Sequence, residues 1–314
     1  MFLTSLLSRL TDSCNRCYLS KASPDYDSWV PEASLSSGIA PNLFQICLRG
    51  KNEDAETVYK SLPDNFKKNI AYLKENNPGW DYQLVSDKDA EDFILKYYGD
   101  VILRYYHKID NVYGAARADF LRYLLLYEKG GVYLDLKSSV KESLSGLIDE
   151  KDRFFLFYWD NMVGGNRHCL VPDYIENGEM LQGFIICARR HPFLRSVIIQ
   201  VMKAMDHYNP YTDGIGWAGV MNITGPVIYS KTIYYESCQE SPARNLCFRQ
   251  GRPFQDFGYQ VNIYQDATPG TYQKNLSLKD YRKQSVPVIK GPNLLMNAIN
   301  VLYLKILRMA HPSN

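Results

Sequence analysis

No stretch of this chain is apolar for long enough to cross a bilayer, which takes about 20 residues. The N-terminal run MFLTSLLSRLTDSC is interrupted by Thr4, Ser5, Ser8 and Arg9. It has neither a basic start nor a clean cleavage site, so neither a spanning segment nor a signal peptide is expected. Net charge is almost absent: 36 Lys and Arg face 34 Asp and Glu, leaving +2. That excludes a nucleic-acid binder held by a broad basic surface. Histidine is scarce, and His168, His191 and His207 show no metal-ligand spacing. The seven cysteines are odd in number and scattered, so they form no disulfide scaffold. Cys14-x-x-Cys17 is their one tight pair, and no second pair or histidine completes a zinc site. The thiols are read as mostly reduced. Together these features point to a cytoplasmic protein or one peripheral to a membrane. No repeat or low-complexity tract is found.

What is present is a large apolar fraction, 46% of 314 residues, enough for one large α/β domain or two small ones. The 25 tyrosines pair an apolar ring with a polar tip, which suits clefts for polar ligands and half-buried core positions alike. Residues 1–38 read as a lead-in segment, with ordered structure starting near Pro41. Leu43–Leu48 reads as a first buried strand. Leu62–Asn76 has helical spacing, Pro78-Gly79 marks a turn, and Trp80–Val85 reads as a second strand. Helices are expected over Asp87–Tyr98, capped by Ser86 or Asp87, over Val101–Ile109 and over Tyr113–Lys129. Gly130-Gly131 stops the last of these, and Val132–Lys137 reads as a strand. Further strands are expected at Phe154–Trp159 and Gly183–Ala188, and helices at His191–Tyr208 and Val227–Glu236. Residues 245–290 read as short strands and turns. Asn293–Ala310 is an amphipathic C-terminal helix, either docked on the domain or resting on a membrane surface. Alternating strands and helices predict a sheet covered by helices.

The segment that carries chemistry runs from Ala115 to Val140. Asp119 and Arg122 are three apart on a helix and share a face. Tyr133, Asp135 and Lys137 alternate along a strand and point the same way. In open α/β sheets, ligands bind beyond the carboxyl ends of strands. An acidic pair spaced i, i+2 there can hold a divalent cation against a diphosphate.

The run AARADFLRYLLLYEKGGVYLDLK resembles the core of glycosyltransferase family 32, which includes the yeast-type α-1,6-mannosyltransferases and capsular polysaccharide synthesis proteins. It is more distantly similar to the sugar-transfer domains of clostridial glucosylating toxins. Their shared pattern is Ala-x-x-Ser-Asp-x-x-Arg, a helix, then Gly-Gly-x-Tyr-x-Asp-x-Asp. Here Ala115 or Ala116, Asp119, Arg122, Gly130, Gly131, Tyr133 and Asp135 fall at matching spacing. Weaker echoes are Pro41–Ile46, Asn77–Trp80, Gly183–Ile185 with His191–Leu194, and Thr224-Gly225-Pro226.

The resemblance implies a GT-A-like, Rossmann-type α/β fold, a mixed sheet flanked by helices, over residues 39–292. Residues 293–314 form the C-terminal helix. It implies a nucleotide-sugar-dependent hexosyltransferase that takes a UDP- or GDP-hexose and a glycan or other hydroxyl acceptor. Retention is the implied stereochemical course. The implied donor-site residues are Gln45, Cys47, Asp119, Arg122, Gly130, Gly131, Tyr133 and Asp135, with Asp135 and Lys137 at the reacting end. Three departures stand out. Lys137 occupies the second acidic position, so Asp135 alone remains as a ligand for Mn²⁺ or Mg²⁺, and metal use is left open. Cys47 stands where the family has a base-stacking Trp. No clear counterpart of the family's C-terminal His or Trp contacts is found, Asp256, Asp266 and His311 being poor candidates. The alternatives are a non-catalytic glycan- or nucleotide-binding protein and a transferase that glycosylates a protein.

Overall fold

The computed structural model describes residues 2–22, 24–158, 171–172, 175, 178–238, 248–250, 258–259, 263, 276, 279–291 and 294–310. Two helices, α1 (Phe2–Ala22) and α2 (Tyr26–Trp29), precede strand β1 (Asn42–Ile46). Then come α3 (Ala55–Ser61), α4 (Asp64–Asn76), β2 (Asp81–Val85), α5 (Asp87–Lys108), α6 (Gly114–Lys129) and β3 (Gly131–Leu134). The chain continues through α7 (Leu144–Leu147), β4 (Phe154–Leu156), β5 (Phe184–Cys187), α8 (Pro192–His207), α9 (Gly216–Ile223), α10 (Pro226–Cys238) and β6 (Phe248–Gln250). A short 3₁₀ turn (Tyr281–Lys283) and α11 (Leu294–Ala310) follow.

The strands form one mixed sheet in the order β2-β1-β3-β5-β4-β6. β2, β1 and β3 run parallel, β5 is antiparallel to both its neighbours, and β4 runs parallel to β6. The α/β mixed sheet flanked by helices expected from the sequence is therefore present. Alternate residues build its two faces, as a two-residue side-chain period requires. Phe44, Tyr133, Phe154 and Ile185 pack with α5, α6 and α8 in the larger core. Leu43, Val132, Phe155 and Phe184 pack on the other face.

Most expected elements lie where their periodicity puts them. Ser86 caps α5 through a capping box with Asp89. The two helices expected on either side of residue 99 are separated by Gly99, whose φ of 73° breaks the helix. The strand expected to reach Trp159 ends at Leu156, and Trp159 lies outside the described residues, as do His168, Asp256, Asp266, His311 and most of 245–290.

Ordered structure begins well before Pro41, a correction to the sequence reading. In α1 the inward residues are Leu7, Thr11 and Asn15, one per turn. Two of the three are polar, so no apolar stripe announces them. Thr11 donates to the Leu7 carbonyl (2.9 Å), and the Asn15 amide donates to the Tyr208 carbonyl beyond α8 (2.9 Å). The Asn15 bond docks the helix on the segment after α8, while the Thr11 hydroxyl is satisfied within α1.

His191 caps α8: its Nδ1 accepts from the Phe193 amide (3.2 Å), which leaves the proton on Nε2. The imidazole is fully buried between the Phe154 and Phe193 rings, and burial holds its pKa down at about 3. In the unfolded chain it titrates near about 6.5. Between those values the unfolded state takes up a proton that the native state refuses. Stability therefore falls as pH drops through that window, by up to about 1.4 kcal/mol per unit from this residue. His191→Asn keeps a cap acceptor and should flatten the acid limb of a urea-stability profile. Superimposable acid limbs would show that His191 is not held neutral.

Candidate active site

The strand period places Tyr133 and Asp135 on the α6 side of the sheet, where Asp119 and Arg122 project from α6. Arg122 lies at the centre. Its guanidinium is 2.9 Å from Asp119 Oδ1 and 3.6 Å from Asp135 Oδ1, and it lies 4.4 Å over the Tyr133 ring. It also donates to the Gln182 carbonyl (3.0 Å) and the Ala118 carbonyl (3.3 Å). Asp119 Oδ2 accepts from the Thr224 hydroxyl (3.1 Å), and Oδ1 accepts from the Gln182 amide (3.3 Å). The Asp119 and Arg122 side chains are only 5% and 6% exposed. Burial drives the Asp119 carboxyl up to about 7, Arg122 pulling it down and Asp135 pushing it further up. Burial works against the charge on Arg122 too, but Tyr133, Asp119 and Asp135 outweigh it and raise the guanidinium pKa.

Asp135 follows the last residue of β3. Its Oδ1 accepts from the Tyr133 hydroxyl (2.9 Å), and its Oδ2 lies 3.9 Å from Lys137 Nζ. Side-chain exposure rises outward through the cluster, to 26% at Asp135 and 34% at Lys137. Gly183 on the neighbouring segment makes room for this: a Cβ there would sit 2.9 Å from Asp135 Oδ2.

Several expected donor contacts are placed differently. Gln45 is fully buried and its amide is engaged by protein. Its Nε2 donates to the Asp135 carbonyl (3.1 Å) and the Ser138 carbonyl (3.5 Å), and its Oε1 accepts from Tyr82 (2.9 Å). It pins the 135–138 turn rather than facing a ligand. Cys47 is buried among Val58, Leu62, Phe66 and Leu136, and burial pushes its thiol up to about 11. Gly130 ends α6 and Gly131 begins β3, about 13 Å of strand from Asp135. A Cβ on Gly130 would meet the Arg189 amide nitrogen at 2.6 Å; one on Gly131 would meet the Asn42 carbonyl at 2.4 Å. Their φ values of 66° and 112° exclude most side chains as well. The close approach these glycines permit is made by the protein's own backbone.

Gln182 and Thr224 complete the buried shell around Asp119 and were not singled out as site residues. The only sequence signal was their place beside the family echoes Gly183–Ile185 and Thr224-Gly225-Pro226. As a metal site the cluster is a poor donor set. Both Asp119 oxygens are engaged by protein, and Asp135 has an ammonium beside it. Among the described residues, no group of three or more His, Cys, Asp or Glu could hold a metal ion.

A buried acid–base pair thus lies behind a partly exposed Asp–Lys pair at the carboxyl end of a central strand. Residues 63–154 match the family described as glycosyltransferase sugar-binding region containing DXD motif. That span contains the whole Asp119–Lys137 cluster. The chain is 27% identical over 210 residues to an initiation-specific α-1,6-mannosyltransferase of Candida albicans, covering 58% of this chain and 51% of that one. It is 30% identical over 156 residues to inositol phosphoceramide mannosyltransferase 3 of Schizosaccharomyces pombe, covering 49% and 36%. The chain thus spans about half or less of the length of these curated relatives. A solved structure titled PaToxG glycosyltransferase is similar at a TM-score of 0.43 and 14% identity, over 88% of this chain and 96% of that one.

Two substitutions check these placements. Arg122→Ala leaves the buried Asp119 carboxylate without its cation and should cost about 3–5 kcal/mol in a urea titration. A midpoint near that of the wild type would mean the pair is screened by solvent. Gly131→Ala should cost at least about 2 kcal/mol while the folded fraction keeps its ligand affinity. Lost affinity without lost stability would return Gly131 to the binding site.

Proposed function

We propose that this protein transfers a hexosyl group from a nucleotide-sugar to a hydroxyl acceptor. The observation that carries this reading is the Asp135–Lys137 pair, partly exposed at the carboxyl end of β3 and backed by the buried Asp119–Arg122 pair, all inside the matched sugar-binding region. The relatives' names make mannosyl the first group to test, with a glycan or an inositol phosphoceramide as acceptor.

In this reading Asp135 accepts from a donor hydroxyl, held in place by the Tyr133 hydroxyl and the Arg122 guanidinium. Lys137 faces the diphosphate and offsets the charge that grows on it as the glycosidic bond breaks. Arg122 is a positioning residue, acting through Asp135. The acceptor hydroxyl must lose a proton. Asp119 is sealed, and Asp135 is occupied by a hydroxyl and two cations. Neither is placed as a free general base, which favours the departing phosphate as base and hence retention.

Lys137 also bears on metal use. A protonated ammonium cannot ligate a metal, but it puts positive charge where the family's second carboxylate would hold a cation. Activity should therefore survive EDTA. Asp135→Asn should abolish transfer with an unchanged melting temperature. Lys137→Ala should lose roughly 10- to 150-fold in donor affinity, the worth of one charge-assisted contact. Lys137→Asp should become Mn²⁺-dependent. A thermal-shift screen of UDP- and GDP-hexoses with and without Mn²⁺, followed by transfer assays, reads all four. Complete loss in EDTA with full rescue by Mn²⁺ would overturn the role given to Lys137. Donor binding with no transfer to any hydroxyl acceptor would point instead to a binding protein.

A further inference from the structure

The two terminal helices lie side by side. Thr4 Oγ1 and the Tyr303 hydroxyl are 2.9 Å apart, and the Asn300 amide donates to Thr11 Oγ1 (3.3 Å). As α1 advances from Thr4 to Thr11, its partner retreats from Tyr303 to Asn300, so the helices are antiparallel. Their inward faces are set by Leu7, Thr11 and Asn15 on α1 and by Asn300 and Leu304 on α11.

Both helices also carry an outward apolar stripe. On α1 it comprises Leu3, Leu6 and Leu10, 43–48% exposed. On α11 it comprises Leu295, Ile299, Leu302, Ile306 and Met309, 37–82% exposed. At about 100° of turn per residue, each stripe is rotated roughly a quarter to a third of a turn from the seam that joins the helices. In an antiparallel pair, rotations of the same sense bring both stripes to one side. Single exposed leucines are ordinary. Eight large aliphatic side chains on one face of two adjacent helices form a contiguous patch of the kind that marks an interaction site.

Charge indicates what covers it. α1 carries Arg9, Arg16 and Lys21 against Asp12, and α11 carries Lys305 and Arg308 with no acidic residue. The two helices together hold +4, whereas the whole chain holds +2, so the remainder of the molecule is at −2. The chain's net positive charge thus lies on the helices that expose aliphatic side chains, which carry five basic residues and one acidic one. A second copy of the same face would set +4 against +4. No helix of the described residues is long and apolar enough to cross a membrane. An aliphatic stripe with basic flanks on a helix that does not span is the pattern of an interfacial helix on anionic lipid.

We propose that α1 and α11 form a composite face that rests on an anionic lipid bilayer, their aliphatic stripes entering the headgroup region and the exposed Arg9, Arg16 and Lys305 meeting lipid phosphates. This stands independently of sugar transfer. The test is co-sedimentation of the full chain with extruded vesicles of phosphatidylcholine alone, or with about one-third phosphatidylserine. Binding should require phosphatidylserine and should fall in about 0.5 M salt. The triple variant Leu6→Glu/Leu302→Glu/Ile306→Glu changes only exposed positions. It should keep the wild-type melting temperature and weaken vesicle binding by more than about tenfold. No binding to the phosphatidylserine vesicles, or equal binding by the triple variant, would overturn the proposal. So would a dimer in light scattering that the triple variant dissociates, since the face would then belong to a second copy.

Discussion

A single guanidinium holds the centre of this molecule together. Arg122 lies between two carboxylates, over a tyrosine ring and against two backbone carbonyls, almost out of contact with water. A buried charge is tolerated only when it is paired and hydrogen-bonded, and the partners here come from three segments of the chain. Asp119 is one turn back on α6, Asp135 directly follows β3, and Gln182 leads into β5; Thr224, just after α9, bonds Asp119 in turn. Satisfying one arginine therefore fixes α6 against the sheet and sets the distance between β3 and the segment before β5; the end of α9 is tied in at one remove, through Asp119. The exposed pair Asp135–Lys137 gets its orientation from this buried scaffold. Rigid support of this kind is what a binding or catalytic group needs if its geometry is to be set before a ligand arrives.

Much of this was legible in the sequence because it depends on local periods. The spacing of Asp119 and Arg122 predicts a shared helix face, and the alternation of Tyr133 and Asp135 predicts a shared strand face. Both pairs of side chains come together as expected, although the strand expected to run to Lys137 ends at Leu134, and Asp135 and Lys137 lie just beyond it. What escaped sequence reasoning depends on neighbours remote in the chain. Gln45 occupies a strand-end position that suits a ligand contact. Yet Tyr82 and the carbonyls of Asp135 and Ser138 take up its amide, and no local pattern announces three partners from two other segments. Gly130 and Gly131 are positions of close backbone approach, but which backbone approaches is a matter of sheet order. β1 beside β3 and the Arg189 turn beside α6 make the intruder the protein itself. α1 was passed over because its inward face is two-thirds polar, and polar residues at helical spacing mean burial only once their partner carbonyls are known.

The cluster's charge balance bears on how it meets a donor. With both carboxyls ionised, two carboxylates and two cations leave it neutral, the cations split between a buried arginine and a partly exposed lysine. Two motif carboxylates and a divalent ion would sum to the same value, but the near field differs. Coulomb energy scales with charge over distance. At equal separation from a phosphate oxygen, an ammonium supplies half the attraction of a divalent ion, and it brings no bidentate geometry. The second carboxylate, however, would itself repel the diphosphate, and replacing it with lysine removes that repulsion. Part of what the metal would add is thus recovered by what the substitution takes away. Lys137 can for this reason accompany a working site despite departing from the motif, provided Asp135 is held still. That condition is met by Tyr133 and Arg122 and does not depend on any ion.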